Sequence, residues 1–220
     1  IDIPPFWEWE PWKGADLING TSWVKEAGNF ANCSKWGARA DDLMQDNNQV
    51  TDCMPANKRD KTTLVILTMG GNDLKNIAEE GFNGAPWEET KAMVDEAMAL
   101  QREAIEWIKD PENFPNGSYV VFANVYEYTD ATGDTSSCQA AELFEDLDGE
   151  WPDDEAIYIH WMEETVRTAV ETETDIIFLF EHFCGHGFRN DDANGQCYRG
   201  PNAERWLDLS CTHPNPTGHE

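Results

Sequence analysis

Two places in this 220-residue chain combine residue types suited to acyl transfer. The first is Gly70-Gly71-Asn72-Asp73, which follows the apolar run Leu64-Val-Ile-Leu-Thr-Met69. The second is Asp208-Leu-Ser-Cys-Thr-His213-Pro214, near the end of the chain. A carboxamide such as that of Asn72 offers N–H donors to a developing oxyanion, and an imidazole takes the proton of a nucleophile. Cleavage through an acyl-enzyme needs both groups and the nucleophile itself. Glycines at 70 and 71 allow the backbone to approach a substrate closely and to adopt positive φ. Pro214 restricts the residue before it and so restrains the loop that presents His213.

These residues need elements to hold them. Residues 61–69 read as a strand whose branched side chains suit a buried sheet, with 70–73 as a tight loop at its end. Over 87–109, Met93, Val94, Ala97, Met98, Ala104, Ile105 and Ile108 recur at three- and four-residue intervals and predict a helix. Pro86 stands at its first turn and Pro111 beyond its end. A second strand covers 118–126 after the turn signal Pro115-Asn116-Gly117, helical segments follow near 138–147 and 153–173, and 175–180 is a third strand. Residues 36–46 hold a short helix, whereas the first sixty residues are otherwise irregular and rich in Trp. Strands alternating with helices mark an α/β chain with a parallel sheet, and such sheets place ligands beyond the carboxyl ends of their strands. No linker or repeat divides the chain, so 1–220 reads as one domain.

Composition narrows the partners. Forty-three acidic against 15 basic residues leave a formal net charge of -28, a surface that repels nucleic acid and anionic lipid. No stretch approaches the roughly 20 apolar residues of a membrane span. Ile1-Asp-Ile-Pro-Pro5 has neither the basic start nor the apolar middle of a signal peptide. Six cysteines without a C-x-x-C pair suit three disulfides, for which 15 pairings exist; Cys33 with Cys53 and Cys184 with Cys197 would close local loops. Asn19-Gly-Thr21, Asn32-Cys-Ser34 and Asn116-Gly-Ser118 match the glycosylation acceptor pattern. Together these features favour an exported protein.

Three segments occur in a telling order: Asn32-Cys-Ser-Lys-Trp-Gly37-Ala-Arg-Ala-Asp-Asp-Leu43, Gly70-Gly71-Asn72-Asp73 and His213-Pro214-Asn215. They resemble the second, third and last of the four sequence blocks of the SGNH (GDSL-type) hydrolases, most nearly the secreted acyloxyacyl-hydrolase-like esterases and lipases. The resemblance spans residues 32–219. It implies a three-layer, flavodoxin-like α/β fold with a parallel central sheet, acting without a cofactor on carboxylic esters of small molecules, lipids or carbohydrates. It further implies His213 as general base, the Gly37 backbone N–H and the Asn72 carboxamide as oxyanion donors, and Gly71 and His186 beside the substrate.

The sequence departs from that pattern twice. The family's Asp three residues before the His is Ser210 here, and the nearest carboxylate is Asp208, five before. Either Asp208 or a backbone carbonyl orients the imidazole; otherwise Asp208 serves only to cap a turn. The Gly-Asp-Ser block with the nucleophile is absent, and Gly133-Asp134-Thr135-Ser136 follows the Asn block, in the wrong order to replace it. The first strand and its serine are therefore expected upstream of residue 1, the chain reads as clipped at both ends, and alone it should be inactive.

Other constellations compete. His182 and His186 with Cys184 or Cys197 could bind zinc on a helix and serve a metal-dependent hydrolase, but Gly185 and Gly187 disfavour that helix and favour a bridged, pocket-lining loop. Asp191, Asp192 and Asn194 lack the spacing of a calcium loop and read as solvated turn residues. Trp7, Trp9, Trp12, Trp23 and Trp36 either pack internally or form a platform for sugars or lipid chains, as in a non-catalytic binding module.

Overall fold

The computed structural model describes residues 26–27, 30–35, 37–126, 128–132, 138 and 151–219. A two-residue antiparallel ladder joins β1 (Glu26–Ala27) to β2 (Phe30–Ala31). Two short helices follow, α1 (Ala40–Met44) and α2 (Gln49–Cys53). The central sheet is parallel, with β3 (Thr63–Leu67), β4 (Ser118–Ala123) and β5 (Asp175–Ile177) in that order. Between β3 and β4 run α3 (Gly71–Phe82) and α4 (Trp87–Lys109); α5 (Asp154–Thr172) precedes β5, and α6 (Leu179–Phe183) follows it. The α/β alternation and the parallel sheet are those expected from the sequence.

Side-chain alternation along the strands sorts the sheet into two faces. Val65, Leu67, Val120, Phe122 and Ile176 pack with Ala104, Ile105 and Ile108 of α4. The upper half of α4, with Val94, Ala97 and Met98, packs with Leu74 and Ile77 of α3 and with Ile157 and Trp161 of α5. The other face, where a three-layer arrangement sets its second helical layer, carries Leu64, Ile66 and Tyr119 at 63%, 60% and 66% exposure among the described residues.

Helix α4 begins and ends where its proline-flanked periodicity predicts. Several expectations change: β4 ends at Ala123 rather than at 126, and Gln49–Cys53 forms a helix in a stretch expected to be irregular. Residues 70–73 are not a tight loop but the start of α3: Gly70 is its N-cap at φ +117° and Gly71 its first helical residue. The apolar series Leu74, Ile77, Ala78 and Gly81, all buried, is the helical signal behind the glycines. Gly70 is required twice over, because its φ favours glycine and a Cβ there would lie 2.4 Å from Trp161 Cζ2. The third strand is also shorter than 175–180, since the chain turns into α6 at Leu179. Residues 139–147 of the expected helix, Gly133-Asp134-Thr135-Ser136, and Trp7, Trp9, Trp12, Trp23 and Trp36 lie outside the described residues.

All six cysteines are paired: Cys33–Cys53 and Cys184–Cys197 as anticipated, and Cys138–Cys211 across 73 residues. No helix among the described residues is long and apolar enough to cross a membrane.

Candidate active site

The turn before α1 and the start of α3 are stitched together side by side. Asn72 Nδ2 donates to the Ala38 carbonyl at 2.9 Å. The Asp73 carboxylate accepts the Ala40 N–H at 3.0 and 3.2 Å on its two oxygens. Gly37, next to Ala38, holds φ +73°, with nothing within 4 Å of an added Cβ; its backbone angle, not crowding, favours glycine. Asp42 accepts the Arg39 N–H at 2.9 Å, which closes the first turn of α1 on itself. The Asn72 carboxamide is thus held one residue from Gly37, with one N–H engaged by Ala38. Gly71 adds an exposed first turn with open space around its Cα.

Asp73 makes this junction sensitive to charge. Burial pushes its carboxyl up from an ordinary 3.8 to about 6; the Ala40 N–H pulls it down, Asp41 raises it and Arg39 lowers it. Beside it lies a cavity of about 320 Å³ lined by Arg39, Asp41, Asp46 and Glu96 with Met93 and Leu100; neither Asn72 nor His213 lines it. Another cavity, of about 300 Å³ near the end of α4, is remote from both motifs.

His213 sits on a tight reversal. Leu207 and Pro214 form an antiparallel bridge, Asp208 N–H donates to the His213 carbonyl at 2.8 Å, and Cys211 N–H donates to the Asp208 carbonyl at 3.1 Å. Cys211 takes φ +64° and is bonded to Cys138. Tyr126 Oη donates to the Thr212 carbonyl at 2.8 Å, tying this loop to the segment that leaves β4. Asp208 caps the turn, its Oδ1 accepting the Ser210 N–H at 2.7 Å and the Ser210 hydroxyl at 2.5 Å. Ser210 Oγ in turn lies 2.8 Å from His213 Nδ1. Asp208 is therefore joined to the imidazole through Ser210, a residue that sequence reasoning counted only as a missing aspartate. Nearby, burial pushes the His219 imidazole down, while Asp208 raises it and His213 lowers it.

Both motifs attach to the carboxyl ends of the parallel strands. Gly70 follows β3 and its added Cβ would lie 3.3 Å from Val125 Cγ1, just beyond β4. Tyr126, the next residue, holds Thr212. The two motifs thus sit against neighbouring residues, Val125 and Tyr126, beyond the end of β4.

The loop carrying His186 is organised by Asp130, which sequence reasoning missed. Its carboxylate accepts the N–H groups of Gly185, Gly187 and Arg189 at 2.8, 2.9 and 3.1 Å. Burial pushes the Asp130 carboxyl up, and those three donors pull it down. Close approach of backbone to carboxylate is why position 187 is glycine: a Cβ would stand 2.8 Å from Asp130 Oδ2. The His186 ring stacks on Trp206 with centroids 3.6 Å apart, and its Nδ1 lies 2.6 Å from the Glu204 carbonyl. A carbonyl only accepts, so Nδ1 bears the proton there. The zinc alternative loses its thiolates, because Cys184 and Cys197 are bonded to each other. His182 lies in α6, which ends before His186, and no cluster of three His, Cys, Asp or Glu among the described residues could hold a metal. Asp192 closes a turn through the Asn194 N–H at 2.9 Å.

A parallel α/β sheet thus carries an amide-and-glycine junction beyond one strand and an imidazole loop beside the next. The family model of GDSL-like lipases and acylhydrolases matches residues 13–220, and the chain belongs to that family, a class of carboxylic ester hydrolases. A gut microbial diltiazem-metabolizing enzyme of known structure shares the fold at TM-score 0.54 and 13% identity, over 83% of this chain and 35% of its own. An extracellular lipase from Streptomyces rimosus matches at TM-score 0.47 and 18% identity, over 83% of this chain and 72% of its own. A phospholipase A1 from Streptomyces albidoflavus NA297 matches at 0.47 and 17%, with the same coverage. The chain thus spans about a third of the first of these proteins, at 35%. No curated protein matches it.

Proposed function

We propose that the protein is a secreted serine esterase or lipase that cleaves carboxylic esters through an acyl-enzyme. His213 takes the proton of the nucleophile and returns it to the leaving alcohol, while Asp208 supplies the negative charge behind the ring. The Gly37 N–H and the second N–H of Asn72 receive the oxyanion. Gly71 and His186 flank the substrate. The nucleophile is a serine on a strand preceding Ile1, in keeping with the order of the family's blocks. Three disulfides support an oxidising, extracytoplasmic setting.

The observation that carries this reading is the Asn72–Ala38 hydrogen bond, which holds the carboxamide beside Gly37 without consuming both of its protons. The test is to express the chain with its preceding coding segment and treat it with a fluorophosphonate and with p-nitrophenyl esters. One serine in the added segment should be labelled, ester hydrolysis should appear, and His213→Ala should abolish both. Ester turnover by the 220-residue chain alone, or equal labelling of His213→Ala, would refute the assignment. A residue other than serine at the nucleophile position would favour a binding module instead.

A further inference from the structure

We propose that Ser210 is a positioning residue that fixes the tautomer of His213 by bridging it to Asp208 through a single hydroxyl. The inference rests on the assignment of His213 as base and adds what makes it one.

Ser210 Oγ has five polar neighbours: Asp208 Oδ1 at 2.5 Å, His213 Nδ1 at 2.8 Å, His213 N at 3.2 Å, and Thr212 N and Thr212 Oγ1 both at 3.4 Å. A hydroxyl has one proton to give and two lone pairs. The backbone N–H groups can only donate, so they do not compete for that proton. Of the acceptors, the Asp208 carboxylate is nearest and anionic, and charge-assisted O–H···O⁻ bonds are the short, strong ones at roughly 2.5–2.7 Å. The hydroxyl proton therefore goes to Asp208. With its proton given to Asp208, Ser210 Oγ can only accept from the ring at 2.8 Å, so His213 carries hydrogen on Nδ1 and donates it to Ser210 Oγ. Nε2 is left without a hydrogen, which is the form a general base requires.

The geometry also explains why a serine can stand where the family has an aspartate. The turn closed by Asp208 N–H to the His213 carbonyl folds Asp208 back over position 210. A carboxylate two residues earlier then reaches the same place one hydroxyl further away. When the ring accepts a proton at Nε2, its Nδ1–H bond to Ser210 shortens and Ser210 leans on Asp208; no proton need leave the ring for the carboxylate. Ser210 is 8% exposed, so water does not readily replace it. Thr212 Oγ1, at 3.3 Å from Nδ1, is the weaker alternative partner.

The test reads the tautomer directly, by long-range ¹H–¹⁵N correlation of the five histidines at about pH 8, above the ordinary imidazole range. The His213 signals are identified by their loss in His213→Gln. The parent should show Nδ1–H with bare Nε2. Ser210→Ala should move His213 toward the tautomer mixture of free imidazole, whereas Ser210→Thr and Ser210→Asp should keep the parent pattern. An Nε2–H form in the parent, or a Ser210→Ala spectrum unchanged at His213, overturns the proposal. Should Ser210→Ala not fold, Asp208→Asn serves in its place, since an amide can give Ser210 a proton and turn its hydroxyl toward Nδ1. In the protein carrying its upstream serine, Ser210→Ala should lower kcat at least about tenfold with little change in KM, less than the roughly 10⁴-fold of a wrong tautomer locked in place. Ser210→Asp should restore it. The parent tautomer as expected, without ester hydrolysis in the longer protein, would sink the esterase reading and leave the bridge standing.

Discussion

Asp73→Asn probes the junction between α1 and α3. The carboxyl is pushed from 3.8 to about 6 chiefly by burial, despite the Ala40 N–H on its oxygens. A folded-state value above the unfolded one means that the folded chain holds its proton more tightly. The stability contributed is full below about pH 4 and is lost as pH rises through about 6. At about 1.4 kcal/mol per pH unit of the gap, the ionised carboxylate lowers stability at neutral pH by about 3 kcal/mol. Asparagine keeps the shape and an oxygen for Ala40 but has no proton to lose. Urea unfolding followed by Trp fluorescence, at steps from about pH 4 to about pH 7, gives the free-energy difference between variant and parent. Other titrating groups, Asp130 among them, are common to both and cancel. The difference should grow in favour of the variant by about 2.4 kcal/mol across that interval. Growth of less than about 1 kcal/mol, or growth in favour of the parent, would refute a buried, costly charge at Asp73. If the charge is kept because it grips Ala40 and with it Gly37, Asp73→Asn should lose activity in the longer protein while gaining stability, the usual exchange at a working site.

Asn72→Ala, in the protein with its upstream serine, should lower kcat by about 100- to 1,000-fold and leave KM nearly unchanged; a smaller loss in steady-state hydrolysis would remove Asn72 from the oxyanion site. Gly70→Ala should destabilise by roughly 3 kcal/mol or more, because strain at φ +117° adds to overlap with Trp161, while Gly71→Ala, with open space, stays within about 1 kcal/mol of the parent by thermal unfolding. Equal effects at the two glycines would contradict the packing. Replacing Cys138 and Cys211 by Ser should remove about 4 kcal/mol and loosen the His213 loop, against about 3 kcal/mol for Cys33 and Cys53, whose separation is 20 rather than 73. Denaturant midpoints in the reverse order would count against it.

Local chemistry alone made much of this protein legible. Helix α4 could be read to its last residue because its apolar series and its flanking prolines depend on near neighbours in the chain. Strands β3 and β4 declared themselves for the same reason, and so did the motifs around Gly37, Asn72 and His213. Helix α3 was hidden by the glycines at its start, which look like a loop until Leu74, Ile77 and Ala78 find α4. What lay beyond the sequence was decided by the docking of one element on another: the Ala40 N–H on Asp73, three amides on Asp130, and Tyr126 on Thr212. Each joins groups far apart along the chain, and spacing carries no information about which lone pair meets which proton after rigid elements pack. Ser210 is the sharpest case. Its three-residue distance from His213 was plain in the sequence and suggested only a lost aspartate, whereas the turn that brings Asp208 onto its hydroxyl exists only in three dimensions.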